Sequence, residues 1–215
     1  MTHAVPIRPQ PVVPVEGSDR SFPVRRILCV GRNYAAHRRE MGGDDRDPPF
    51  FFTKPADAIV PPGQDVPYPS ATTDLHHEVE LVVAVGEHGA IFGFAVGVDL
   101  TRRDLQAVAK AKGHPWDAAK GFDASAPIGA IRPFEGRIPQ GRIALSVNGE
   151  IRQQAEVSDM IWSVEEILVE AGKLWALQPG DLIFTGTPEG VSALVRGDHV
   201  TGEIEGVGVI DFKVV

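Results

Sequence analysis

The sequence has 215 residues, of which 43% are hydrophobic and 23% charged, a balance typical of one globular domain with a full core. The formal net charge of −8 argues against a nucleic-acid-binding protein, because phosphate backbones require a basic surface. The single cysteine excludes a disulfide within the chain. No long apolar run and no signal-peptide pattern is present, so we expect a cytoplasmic protein without a membrane partner.

The first part of the chain contains an arm, a strand and a short helix. Residues 1–24 are rich in proline and predict an extended arm that packs against the body of the protein or a partner subunit. The apolar segment 26–30 predicts a strand, and Cys29 within it is interpreted as a small core residue rather than a nucleophile. Residues 34–41 predict a short helix ended by two glycines, and the polar segment 44–49 predicts a loop.

The middle of the chain predicts strands, a helix and a hairpin. Two segments with alternating apolar residues, 78–85 and 93–99, predict strands. Residues 101–112 carry apolar side chains at helical spacing and predict a helix. Asn148-Gly149 favours a type I′ turn, so residues 143–151 predict a hairpin.

The C-terminal part predicts one more helix and several strands. Ser163 and Glu166 form a capping-box pattern that opens a helix, and we expect this helix to stop at Gly172. A Pro-Gly-Asp turn precedes a predicted strand at 182–185, and residues 200–215 predict further strands.

Glycine and proline are frequent, with 23 and 18 residues, and they separate short apolar runs. This pattern indicates many short strands and tight turns. We therefore expect an α+β protein that is mainly β, with the arm at 1–24 followed by one domain at 25–215.

Three carboxylates suggest a metal site. Glu78 and Glu80 are two residues apart in a predicted strand, so both side chains project from one face. Like charges held together in a valine-rich strand are stabilised by a hard divalent cation. Asp99 is a candidate third ligand, and we interpret the small residues Ala95 and Gly97 on its face as room for the metal. The alternative is that the glutamates line a solvated face.

Two further polar pairs have a spacing that permits a site. Glu203 and Glu205 are also two residues apart, but they lie between glycines with no other carboxylate nearby, which indicates an exposed face. His37 and Glu40 share a face of the predicted helix, and a histidine oriented by a carboxylate can activate water as a general base. A surface His–Glu pair is the alternative interpretation.

Two other segments could bind an anion. Lys120 lies among aromatic residues and precedes a glycine, where it could contact a substrate anion or an oxyanion; a solvated surface lysine is the alternative. Residues 185–188, Thr-Gly-Thr-Pro, form a constrained loop of hydroxyls and amides, and a plain structural turn is the alternative there.

Taken together, these motifs resemble the fumarylacetoacetate hydrolase family, specifically its short single-domain bacterial members. Their order and spacing extend over roughly residues 24–215, so a chance match is implausible. In chain order the matching segments are 31–34 leading to His37 and Glu40, 52–55, 77–81, 97–106, 120–123, 147–149, 180–181 and 185–190.

The resemblance implies a mixed β-sheet roll with short peripheral helices, a homodimer, and Mg²⁺ or Mn²⁺ as cofactor. It gives metal ligation to Glu78, Glu80 and Asp99. The remaining implied roles are water activation by His37 and Glu40, stabilisation of the substrate or an oxyanion by Lys120, and lining of the substrate pocket by Arg103, Gln106 and Thr187.

The resemblance also implies hydrolysis of a carbon–carbon bond in an acylpyruvate, with fumarylpyruvate of the gentisate pathway as the expected substrate. The alternatives on the same metal site are decarboxylation of oxaloacetate and isomerisation or hydration of an unsaturated 2-keto acid; a non-catalytic keto-acid-binding protein is a further alternative. Two departures from relatives, the short segment 87–92 and the histidine at 77, are expected to affect substrate choice without removing a catalytic group.

Overall fold

The computed structural model of the chain describes residues 3–34 and 47–215. Residues 35–41 of the helix predicted at 34–41 and residues 44–46 of the loop predicted at 44–49 lie outside these ranges. The strands are β1 (Val12–Pro14), β2 (Ser21–Pro23), β3 (Arg26–Gly31), β4 (Phe50–Lys54), β5 (Ile59–Val60), β6 (Leu75–His76), β7 (Val79–Val85), β8 (Ile91–Val98), β9 (Thr101–Arg102), β10 (Ala126–Pro127), β11 (Arg132–Pro133), β12 (Arg142–Val147), β13 (Glu150–Glu156), β14 (Asp181–Phe184), β15 (Ala193–Leu194), β16 (His199–Ile204) and β17 (Gly208–Lys213). The helices are α1 (Arg103–Lys112), α2 (Asp117–Lys120) and α3 (Val164–Leu174), with 3₁₀ turns at Ala56–Ala58, Glu87–Gly89 and Val157–Asp159.

A six-stranded mixed sheet forms the centre of the molecule, in the order β11-β8-β7-β14-β3-β4. Strand β14 runs parallel to β3, whereas the other neighbours in the sheet are antiparallel. All seven residues of β7 are buried, because both faces of this sheet are covered. A strand buried on both faces favours a nearly continuous apolar sequence, so the glutamate inside β7 requires a specific explanation.

A second, four-stranded antiparallel sheet has the order β13-β12-β16-β17. Its first hairpin turns at Asn148 and Gly149, whose φ angles are 53° and 81°, as a type I′ turn requires. The larger of two apolar clusters joins this sheet to one face of the central sheet, and Leu81, Val96 and Leu145 belong to it. The predicted hairpin is therefore confirmed, together with the mainly β, mixed-sheet class of the fold.

The N-terminal arm contains a two-stranded element that the proline-rich sequence did not predict. Val13 in β1 faces Phe22 in β2, and both side chains are buried. They belong to a second apolar cluster on the other face of the central sheet, with Ile27 and Val82. The prolines lie at the edges of this small pair of strands, where a missing N–H is tolerated.

Helix α3 confirms the predicted start but not the predicted end. Ser163 accepts a hydrogen bond from the Glu166 backbone N–H, and the Glu166 carboxylate accepts one from the Ser163 N–H. The helix continues past Gly172 to Leu174, so the expected stop was wrong by two residues. A glycine inside a helix costs about 1 kcal/mol, which is too little to end a helix whose Ala171 is packed in the core.

Helix α1 starts later than predicted because residues 101–102 pair with β6 as strand β9. Its C-terminus is closed by Gly113 in the left-handed conformation, with φ 64°. No helix in the described ranges is long and apolar enough to cross a bilayer.

Candidate metal centre

Antiparallel pairing of β7 and β8 brings three acidic side chains together. Val79 pairs with Val98, and the Asp99 N–H donates to the Glu78 carbonyl oxygen at 2.8 Å. This register places Glu78, Glu80 and Asp99 on the same face, as the spacing predicted. Within the described residues, a carboxylate oxygen from each lies within 4.8 Å of the other two, and all three side chains are buried.

The acidic cluster is held by buried and half-buried cations. Lys120, from the end of α2, donates to Glu78 Oε2 at 2.8 Å and to Asp99 Oδ2 at 2.7 Å. Arg103, at the start of α1, donates to Glu78 Oε1 at 2.6 Å. Burial lowers the pKa of Lys120, but Asp99 and Glu78 together raise this pKa above the usual value. Lys120 is therefore a fixed positive charge in the site and not a solvated surface lysine.

Lys54 is a site residue to which the sequence analysis gave no role. It ends β4 and its side chain is buried, with Nζ 2.8 Å from Asp99 Oδ1. The same ammonium donates to the backbone carbonyls of Leu100 and Lys120. The sequence did contain a signal for this role. Lys54 follows three phenylalanines and a threonine, and a lysine in such an apolar strand needs a buried partner.

Glu80 is almost completely buried in the cluster. Its Oε2 accepts a hydrogen bond from the Gly186 N–H at 2.8 Å. Burial, followed by the charges of Asp99 and Glu78, raises the pKa of Glu80 well above its usual value. Excess negative charge among these three oxygen-bearing side chains is the condition that a hard divalent cation relieves.

The donor atoms fit such a cation. Magnesium and manganese prefer carboxylate oxygens, and each of the three side chains supplies one to the same small volume. Asp99 Oδ1 lies close to Lys54 Nζ, but within the described part of the chain this buried oxygen has no correctly aligned hydrogen bond. Glu78, Glu80 and Asp99 could therefore hold a divalent metal ion.

The loop that follows β14 fixes the donor to Glu80. Gly186 has φ 99°, and a Cβ at this position would lie 2.6 Å from the Cβ of Asn33. The buried Asn33 side chain donates to the carbonyls of Trp162 and Thr185 and accepts from the Trp162 N–H. The loop at 185–188 thus uses its Gly186 amide to bind a carboxylate of the protein itself.

Gln106 and Thr187, two of the residues expected to line the pocket, are buried beside the cluster. Gln106 accepts a hydrogen bond from Arg103 at 2.6 Å. The Thr187 hydroxyl donates to the Val79 carbonyl at 2.8 Å and accepts from Gln153 Nε2 at 2.8 Å. Gln153 is a second residue that the sequence analysis missed. It lies in the mostly exposed strand β13, and the sequence contains no signal that this one glutamine side chain is buried.

These side chains line one narrow cavity of about 30 Å³, enough for about two water molecules. Its lining comprises Val30, Gly31, Arg32, Phe52, Glu78, Glu80, Asp99, Arg103, Gln106, Lys110, Trp116, Lys120 and Thr187. A larger surface cavity of about 500 Å³ shares Phe52 and Trp116 with it. The structure therefore brings together every candidate site residue that it describes.

His37 and Glu40 lie outside the described residues, so their position relative to the cluster stays a prediction. His77 is buried and contacts Gln153 and Ser192 instead of lining the cavity. Glu203 and Glu205 are exposed, as expected, and Glu203 pairs with Arg142 at 3.1 Å.

The interpretation of the small residues in β8 was wrong. A Cβ on Gly97 would lie 2.5 Å from Val82 Cγ2 and 2.6 Å from the Phe184 ring. The space beside Gly97 is therefore filled by core side chains, and it does not accommodate a metal ion. The acidic cluster forms beyond this point, where β8 ends and Asp99 follows.

Comparisons with known proteins agree with this architecture. The family model described as fumarylacetoacetate (FAA) hydrolase C-terminal matches residues 26–215. A fumarylpyruvate hydrolase of a Ralstonia species is 44% identical, with 77% of this chain and 92% of that protein covered. An oxaloacetate tautomerase of Escherichia coli K12 is 40% identical, with 89% and 93% covered. The crystal structure of fumarylpyruvate hydrolase from Pseudomonas aeruginosa in complex with Mn²⁺ and pyruvate has a TM-score of 0.96 and 45% identity, covering 100% of this chain and 99% of that one.

Proposed function

The chain belongs to the fumarylacetoacetate hydrolase family, and from this premise we propose that it is a divalent-metal-dependent hydrolase of acylpyruvates. The specific substrate in this proposal is fumarylpyruvate, which water converts to fumarate and pyruvate. The buried cluster of Glu78, Glu80 and Asp99, bridged by Lys120, is the observation that carries the proposal.

Glu78, Glu80 and Asp99 would hold the ion, which we propose to be Mg²⁺ or Mn²⁺. When bound, a divalent ion supplies Lewis acidity for the keto-acid end of the substrate. An ammonium has three donors, and two of those on Lys120 bind Glu78 and Asp99, so the third can donate to an oxyanion that forms on the substrate. Gln106 and Arg103 are further donors that line the same cavity.

We assign the activation of water to His37, oriented by Glu40. The base removes a proton from water, and the resulting hydroxide oxygen bonds to the carbonyl carbon distal to the pyruvate unit. When the tetrahedral centre collapses, the bond between that carbon and its neighbouring methylene carbon breaks, and the electron pair moves to the pyruvate part as an enolate. Protonation of that carbon completes pyruvate, and the acyl part leaves as a carboxylic acid.

A second candidate is a proton-transfer reaction of oxaloacetate on the same metal site. It is favoured by one observation, the 40% identity to an oxaloacetate tautomerase across 89% of the chain. Decarboxylation of oxaloacetate and isomerisation of an unsaturated keto acid use the same kind of enolate. Decarboxylation needs no attacking water, so replacement of His37 should impair hydrolysis of an acylpyruvate much more than decarboxylation of oxaloacetate.

The test is a turnover assay of the purified protein with fumarylpyruvate, acetylpyruvate and oxaloacetate, in Mg²⁺ or Mn²⁺ and in excess EDTA. The proposal expects acylpyruvate hydrolysis that EDTA abolishes, with fumarylpyruvate preferred over acetylpyruvate. Hydrolysis that persists in EDTA would overturn the metal assignment. Turnover of oxaloacetate without hydrolysis of either acylpyruvate would favour the second candidate.

Two further expectations belong to this proposal. The protein is expected to be a homodimer, which light scattering coupled to size-exclusion chromatography would measure. Residues 1–24 are expected to form an arm and residues 25–215 the catalytic domain, and deletion of residues 1–11 should then leave hydrolysis intact. A monomer, or loss of folding on that deletion, would contradict the respective expectation.

A further inference from the structure

We propose that Arg32 and Lys110 form a recognition site for the distal carboxylate of a dicarboxylic acylpyruvate. The inference rests on the proposed function and adds the residues that select a substrate with a second negative charge. It is drawn from the placement of two cations in the cavity wall, their lack of a carboxylate partner among the described residues, and the aromatic surface between them and the acidic cluster.

Both cations line the cavity that contains Glu78, Glu80 and Asp99. Lys110 lies on α1, four residues after Gln106, so the two side chains project from the same face of this helix. Its ammonium lies 5.0 Å from the centroid of the Trp116 ring, and the side chain is only partly exposed. The helix therefore directs Lys110 to the same space as Gln106.

Arg32 directly follows β3 and is held in a rare backbone conformation. Its φ is 61°, in the left-handed region that non-glycine residues seldom adopt. Such conformations are strained, and they concentrate at functional sites. Arg32 itself is partly buried and lines the cavity.

Arg32 and Lys110 differ from the other cations of the site, because they have no carboxylate partner in the part of the chain that the structure describes. Lys54, Lys120 and Arg103 each pair with a cluster carboxylate. Across residues 3–34 and 47–215, neither the Arg32 guanidinium nor the Lys110 ammonium has a hydrogen bond or an ion pair with an acidic side chain. Partly buried charges of one sign, without a partner, create a local potential that attracts an anion.

The electrostatics of Lys110 support this arrangement. Burial, followed by the charges of Arg103 and Arg32, lowers the pKa of Lys110 to about 8, against the opposite effect of Glu78. Positive charge is therefore crowded at this end of the cavity. A bound carboxylate would relieve that crowding.

An aromatic surface separates the two ends of the cavity. Lys120 Nζ lies 5.1 Å from the Phe52 ring, the Phe52 and Trp116 ring centroids are 5.8 Å apart, and Lys110 lies over Trp116. A planar, conjugated acyl chain is too large for the narrow cavity of about 30 Å³, so it would lie along these rings where the larger cavity of about 500 Å³ shares Phe52 and Trp116. The keto-acid end of the substrate would then reach the acidic cluster, and its distal carboxylate would reach Lys110 and Arg32.

The first test compares substrates with and without the second carboxylate. We would measure kcat/KM for fumarylpyruvate and acetylpyruvate with Lys110→Met, which keeps the apolar stem over Trp116, and Arg32→Asn, since asparagine tolerates a positive φ. The preference for fumarylpyruvate should fall at least about ten-fold in each variant, as expected for the loss of one charge-assisted hydrogen bond. Lys112→Met, an exposed lysine on the same helix, is the matched control and should keep the preference.

A binding measurement separates failure of this inference from failure of the proposed function. Calorimetry would compare fumarate with crotonate, which has the same carbon chain but lacks the second carboxylate. The inference expects wild-type protein to bind fumarate at least about ten-fold more tightly, with the difference lost in Lys110→Met and Arg32→Asn. The binding preference can be measured even if the protein hydrolyses no acylpyruvate. Absence of hydrolysis would refute the proposed function but not this inference. Equal binding of both acids by the wild type, or an unchanged preference in both variants while thermal unfolding shows them folded, would overturn the inference.

Discussion

At the scale of single residues, the site is a set of buried charges that stabilise one another. Asp99 is almost completely buried, and two lysines, Lys54 and Lys120, lie within ion-pair distance of its carboxylate. Lys54 also ties the chain at Leu100 to the end of α2 through two backbone carbonyls. A buried ion pair adds little stability by itself, but removal of one partner leaves the other charge uncompensated.

Replacement of Lys54 by methionine should therefore destabilise the fold strongly. We expect the free energy of unfolding to fall by about 3–5 kcal/mol, because Asp99 loses a buried counter-charge and two carbonyls lose their donor. Urea unfolding of the metal-free protein would measure the change. Lys213→Met, at an exposed position in β17, is the control and should change stability by less than about 0.5 kcal/mol. A change of that small size in Lys54→Met would show that Lys54 is dispensable.

The titration of Lys110 gives a pH-dependent prediction. Burial, followed by Arg103 and Arg32, lowers its pKa to about 8, against the opposite effect of Glu78. Lys110 is charged below this pKa and loses its charge as the pH rises through it, so fumarate affinity should decrease between about pH 7 and pH 9. Calorimetric titrations across this range would measure the decrease, and Lys110→Met should show a much smaller one. An affinity for fumarate that increases with pH would contradict the assignment.

At the scale of secondary structure, the sequence predicted the elements that carry the acidic cluster. The alternation in 78–85 and 93–99 predicted both strands and the common face of Glu78 and Glu80, because side-chain direction in a strand follows from local spacing. The pairing of Asp99 with Glu78 needed the register between two strands, which the short connection from β7 to β8 favours. Lys54 could not be placed in this way, because β4 reaches the site only through its pairing with β3.

The loop after β14 has a backbone requirement that can be tested. Gly186→Ala should lower stability by about 1–3 kcal/mol beyond the effect of the positive φ alone, because its Cβ would overlap Asn33 and displace the amide that donates to Glu80. Gly63→Ala is the matched control, since Gly63 has φ 81° and nothing within 4 Å of its added Cβ. Urea unfolding of the two variants would compare them. Equal destabilisation would show that the contact with Asn33 has no effect.

At the scale of the whole molecule, the fold concentrates charge at one end of the central sheet. The carboxylates come from β7 and from the residues that flank β7 and β8, and the cations come from β4, α1 and α2. Seven of the site residues expected from the sequence line one cavity. Local patterns suggested four of them, and the family resemblance added Arg103, Gln106 and Thr187. What the sequence did not reveal, the placement of Lys54 and Gln153, depends on contacts between distant elements. The position of His37 and Glu40 stays a prediction.

The central claim is that Glu78, Glu80 and Asp99 bind one divalent cation. Its most direct test is a calorimetric titration of Mn²⁺ into EDTA-treated protein that has been freed of the chelator, for the wild type, Glu80→Gln and Glu203→Gln. The last variant is the control, because Glu203 and Glu205 repeat the spacing of Glu78 and Glu80 on an exposed face. We expect one site per chain in the wild type and in Glu203→Gln, and an affinity at least about ten-fold lower in Glu80→Gln. A wild-type protein without a saturable site, or a Glu80→Gln variant that binds Mn²⁺ as tightly as the wild type, would contradict the claim.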